Sequence, residues 1–107
     1  MTDIKIVKKQ GSITKVTCSG HTGFASQGED IVCAGVSTLT QTALLGLLQV
    51  AQVNVKFKSG DAFLEFELPH DLTREQRHDA DVILNTMLCG LSDFLTEFSD
   101  YISLEVV

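Results

Sequence analysis

The sequence predicts an α+β fold in the order ββαββαβ, with two helices packed against or between antiparallel β-hairpin sheets. Three observations lead there. Apolar residues alternate with polar ones on both sides of two glycine-containing turns, as in β-hairpins. Two longer stretches carry apolar residues at helical spacing, each preceded by a capping-box pattern, Ser26-x-x-Glu29 and Thr73-x-x-Gln76. A last short stretch alternates again.

Residues 3–9 alternate around Ile4 and Ile6 and read as a strand, and Gln10-Gly11-Ser12 turns the chain. Residues 13–19 return with Val16 and Cys18 on one face and Lys15 and Thr17 on the other. A loop over 20–29 leads to a helix expected over about 30–51, with Asp30 a second possible cap. The apolar residues of this helix, among them Ile31, Val32, Val36, Leu39, Leu44, Leu47 and Val50, cover nearly every side. Such a helix is buried on more than one face, as a central helix, a dimer interface, or both. That favours helices between sheets. Residues 53–58 set Val53, Val55 and Phe57 against Asn54, Lys56 and Lys58, and Ser59-Gly60-Asp61 turns into 62–68, where Leu64, Phe66 and Leu68 oppose Glu65 and Glu67. The second helix runs from the Thr73 cap to about Phe98, with Leu84, Met87, Leu88, Leu91, Phe94, Leu95 and Phe98 as its apolar stripe. Ile102, Leu104 and Val106 mark a closing strand.

The 107 residues make one domain, 1–107, large enough for a core without staples. Eight Lys and Arg against fourteen Asp and Glu give a net charge of −6. The basic residues are scattered, so direct nucleic-acid binding, which needs a basic face, is disfavoured. An acidic surface suits a basic partner. No N-terminal apolar segment reads as a signal peptide, and the apolar run at 43–51 is broken by Gly46 and Gln49. The expectation is a cytoplasmic protein with no membrane association. Three cysteines, Cys18, Cys33 and Cys89, do not suggest a disulfide framework.

The chemistry concentrates at residues 20–37. A glycine-broken loop starts with His21 and runs into a helix carrying Cys33 in its first turns. A thiol becomes a nucleophile when something helps it lose its proton and a base lies within reach. The positive end of the helix supplies part of the first. His21 supplies the second if the loop folds back. Gly20, Gly23 and Gly28 make the loop flexible, and the first two let backbone approach a substrate carbonyl closely. Asp30 either orients the imidazole or simply caps the helix; Ser37, one turn after Cys33, either donates to the site or is a small packing residue. The bland alternative makes Cys33 a core thiol and His21 a loop histidine bonded to backbone. A zinc site from Cys18-x-x-His21 with Cys33 and Cys89 lacks a second close ligand pair, so no metal is expected. A redox thiol lacks a resolving partner, because Cys18 and Cys89 lie on other elements. His70 and His78 read as incidental.

Gly20-His21-x-Gly23, then Gly28-x-Asp30-Ile31-Val32-Cys33-Ala34, then Val36-Ser37 resembles the signature of the ribosomal-processing cysteine protease family. Length, element order and the acidic helical C-terminal half extend the resemblance over essentially the whole chain. The resemblance implies an α/β sandwich that forms a homodimer. It also implies an endopeptidase with Cys33 as nucleophile and His21 as general base and acid, supported by Asp30 and Ser37, and needing no cofactor. The implied substrate is a ribosomal protein with an N-terminal extension, number twenty-seven of the large subunit. The rival from another class is a non-catalytic ribosome-assembly or interaction module, which fits the acidic surface equally well.

Overall fold

The structure, a computed structural model of the chain, describes residues 1–20 and 27–107, and only the backbone of residues 27–30. The elements follow the expected order: β1 (Thr2–Lys9), β2 (Ser12–Ser19), α1 (Gln27–Leu45), β3 (Lys56–Gly60), β4 (Phe63–Glu67), α2 (Arg74–Glu97) and β5 (Ile102–Val106). α1 continues directly into a π-helical turn, Gly46–Val50, where the Ala51 N–H donates to the Gly46 carbonyl at 2.9 Å.

Both hairpins join one five-stranded sheet in the order β3-β4-β2-β1-β5. The hairpins meet where β2 pairs antiparallel with β4, Val16 opposite Phe66 and Cys18 opposite Leu64. β5 departs from the antiparallel expectation: it lies parallel to β1, with Thr2 opposite Ile102. α2 provides the long crossover that a strand needs to arrive parallel.

One sheet face is apolar. Ile4 and Ile6 of β1, Val16 and Cys18 of β2, and Leu64 and Phe66 of β4 are buried there with Val32, Val36 and Leu47 from the first helical segment and Leu84, Met87 and Leu91 from α2. Within one chain, then, the helices pack against a sheet and not between two. The other face is polar, and register sets a row Glu105–Lys5–Thr17–Glu65–Lys58 across it. Lys15 and Glu65 pair at 2.9 Å. Glu65 is held below the usual carboxylate range mainly by its hydrogen bond with Lys15.

α1 begins at Gln27, three residues before the expected start. That is the first helical position if Ser26 is the cap of the Ser26-x-x-Glu29 box; Ser26 itself lies outside the described residues. Only one side of this long helical segment is covered. Ile31 (58% exposed) and Val50 (78%) stand open. Residues Ile31–Val50 have a mean hydropathy of 1.7, long and apolar enough by those measures to cross a bilayer, yet their buried third lies on the sheet.

α2 is capped as its sequence requires. Thr73 Oγ1 accepts from the Gln76 N–H, and the Thr73 N–H donates to Gln76 Oε1, both at 3.0 Å. The helices run antiparallel and approach closely because Gly35 faces Phe94: a Cβ there would lie 2.3 Å from the ring.

β3 is displaced from the expected 53–58. Val53 and Val55 are buried as predicted, but in irregular chain held by the Val53 N–H donating to the Leu47 carbonyl at 2.8 Å. The partner strand explains the shift. β4 pairs through Glu67 and then reaches Pro69, which has no N–H to offer, so residues before Lys56 find no ladder. The turn moves accordingly to Asp61 and Ala62, Ala62 taking φ +54°.

Candidate active site

A cavity of about 360 Å³ lies between α1 and the β3–β4 end of the sheet. On the helix side Cys33, Val36, Ser37, Thr40, Gln41, Leu44, Leu45 and Leu48 line it, a single stripe at the 3.6-residue period. On the sheet side it is lined by Cys18 and Gly20, then Phe57, Ser59, Ala62 and Leu64. One end carries small polar groups, the other Leu44, Leu45, Leu48 and Phe57.

Cys33 is the seventh residue of α1 and is half-buried, a thiol reachable from the cavity. Cys18, 8% exposed, is the inert contrast: burial pushes its thiol up to about 11, with a hydrogen bond to Thr40 acting the other way. Ser37 accepts a 2.7 Å hydrogen bond from Gln41 Nε2, so the polar stripe is linked within itself. The buried Thr40 hydroxyl donates to the Val36 carbonyl at 2.9 Å.

Gly20 takes φ +139°, and a Cβ there would lie 2.2 Å from the Met1 carbonyl oxygen and 2.7 Å from Thr2 Cα. A glycine is therefore required where β2 leaves the sheet toward His21. Gly28 belongs to α1 and not to the loop, and Asp30, the fourth residue of α1, is not its cap. His21, Gly23 and the side chain of Asp30 lie outside the described residues. Cys33, Ser37 and Gly20 are thus brought to one cavity.

The sequence reading missed Cys18, Thr40, Gln41 and the β3–β4 residues as cavity walls. The run Ser37-Thr38-Leu39-Thr40-Gln41-Thr42, polar inside an apolar helix, was the available signal. It also missed that Cys18 and Cys33 share a cavity. Cys89 stays apart, exposed on α2 among Asn85, Ser92 and Asp93, so the four-ligand zinc set does not assemble around it. Among the described residues no three His, Cys, Asp or Glu side chains could hold a metal ion. His78 pairs with Asp79 at 3.3 Å on an exposed surface.

The family model described as cysteine protease Prp matches residues 1–103. The ribosomal processing cysteine protease Prp of Bacillus subtilis is 29% identical over 84 residues, 77% of this chain and 75% of that one. The protein of the same name from Staphylococcus aureus strain Mu50 is 28% identical over 98 residues, 92% and 91% of the two chains. The fold matches the crystal structure of the S. aureus protease in complex with a substrate peptide, with a TM-score of 0.87 at 23% identity over the full length of both chains. It also matches the same protease carrying a covalently linked product peptide, with a TM-score of 0.83 at 24% identity over the same extent. The chain is a cysteine protease and a member of the Prp family.

Proposed function

We propose that this enzyme removes the N-terminal extension of large-subunit ribosomal protein number twenty-seven, with Cys33 as nucleophile and His21 as general base and acid. The observation that carries the reading is Cys33 itself: the reachable thiol on the wall of a cavity long enough for a peptide. The names of the relatives support ribosomal processing.

The field of a helix end fades within the first turn. Cys33 stands near the end of the second turn, so its activation rests mainly on a base, the role of His21 on the preceding segment. His21 takes the thiol proton as Sγ attacks the scissile carbonyl carbon. The C–N bond breaks, the imidazolium delivers that proton to the leaving amine, and water hydrolyses the thioester. Ser37 and Asp30 support the pair. The apolar end of the cavity receives substrate side chains.

The enzyme acts in the cytoplasm as a homodimer, and the apolar surface that one chain leaves open at Ile31, Leu45 and Val50 supports the homodimer alone. The acidic balance suits a basic ribosomal substrate.

The test is cleavage of that ribosomal protein by the native enzyme, Cys33→Ala and His21→Ala. Cys33→Ala should abolish cleavage while the protein still folds and binds substrate. Full cleavage by this variant would sink the assignment.

A further inference from the structure

We infer that β3 is the strand on which the substrate is read: an extended peptide in the cavity pairs with its open edge, through the backbone of Phe57 and Ser59. This rests on the reading of Cys33 as the nucleophile.

β3 is an outermost strand of the sheet. Gly60 and Phe63 flank a two-residue turn, which makes them a hydrogen-bonded pair, and the bonding then alternates along the ladder. Lys58 and Lys56 therefore also bond to β4, while the N–H and C=O groups of Phe57 and Ser59 point to the open edge. No other described residue takes them up. Phe57 and Ser59 are also the β3 residues whose side chains share the face of Phe66 and Leu64, toward α1, and both line the cavity. The free backbone groups and the cavity wall thus belong to the same two residues.

The dimensions agree. From Cys33 to Leu44 the helix rises about 16 Å, and the five residues of β3 extend over about the same length. An extended chain of about five residues fills that span. The α1 segment ends beside the start of β3, as the Val53–Leu47 hydrogen bond shows. Cys33 accordingly lies toward the Gly60 end, and a peptide on β3 ends at the nucleophile. An unpaired edge beside an apolar groove is the arrangement in which main-chain bonds supply affinity and alternate side chains supply specificity. In this frame every second substrate side chain faces Leu44, Leu45 and Phe57.

The experiment uses a synthetic peptide spanning the extension and cleavage junction of the ribosomal protein from the same genome, N-methylated at one backbone amide at a time. Pairing with Phe57 and Ser59 should lower kcat/KM at every second position on one side of the scissile bond, by about three- to tenfold for each bond lost. In Cys33→Ala, the unmethylated peptide should slow hydrogen exchange at the amides of Phe57 and Ser59. A flat methylation profile with brisk cleavage, or protection at β5 instead, overturns the strand pairing alone. Concentration-dependent protection of the same two amides without peptide would give the edge to a second copy and also overturn it. Failure of the native enzyme to cut the unmethylated peptide refutes the proposed substrate, and this inference with it.

Discussion

Gly20 offers a stability test whose size follows from the structure. Alanine there meets two penalties. Its φ of +139° is rarely adopted by a residue with a side chain, at about 1–3 kcal/mol. Its Cβ would sit 2.2 Å from the Met1 carbonyl oxygen, and relief of such overpacking costs about 1–3 kcal/mol more. The obstacle is backbone, and that backbone is itself held, since the Thr2 N–H donates to the Tyr101 carbonyl at 2.9 Å. The sum is about 2–6 kcal/mol, and the melting temperature should fall by roughly 10–30 °C. Two other glycines calibrate the result. Gly11, at φ +82° with nothing within 4 Å, should show the backbone penalty without the clash. Gly60, in open space without a positive φ, should tolerate alanine. Thermal and denaturant unfolding of the three variants should rank Gly20→Ala below Gly11→Ala below Gly60→Ala. A Gly20→Ala protein within about 0.5 kcal/mol of native, the scatter of an ordinary surface change, would refute the close passage at the entrance to the site.

Thr73→Ala removes one half of the α2 capping box and should cost about 1 kcal/mol by denaturant unfolding, with activity retained. The Lys15–Glu65 pair on the polar face should behave as a screened surface contact. Because Glu65 is lowered, its contribution is present above the usual carboxylate range and lost as pH falls through its own titration. Because Lys15 is raised, its contribution persists to high pH and is lost above the ordinary lysine range. Melting curves of native protein and Glu65→Gln should therefore differ near neutrality at low salt, and converge in acid or in high salt.

Local structure was legible wherever one element decides it. Both α2 cap residues, the alternation of β1 and β2, and the Leu84–Met87–Leu91 stripe were read from spacing alone, since each depends on residues a few positions apart. What remained hidden depends on partners distant in the chain. The start of β3 is set by where β4 stops at Pro69. That two hairpins share one sheet follows from β2 meeting β4, which no local pattern announces. The all-round apolar character of α1 pointed to a second sheet, whereas one chain covers only one side of it. At the site, Cys33 was found by its place in the helix after the His21 loop and by the family motif, and Ser37 by its position one turn on, but most of their opposite wall comes from residues 57–64.

The most direct test of the central claim is the alkylation rate of each cysteine against pH, followed by mass spectrometry, in the native protein and in His21→Ala. Cys18, buried and with its thiol pushed up to about 11, should stay unmodified near neutrality, and Cys89, exposed, should react as an ordinary surface thiol. Cys33 should outpace both at pH 6–7 and slow when His21 is replaced. A Cys33 no faster than Cys89 and indifferent to His21 would contradict the Cys33–His21 pair.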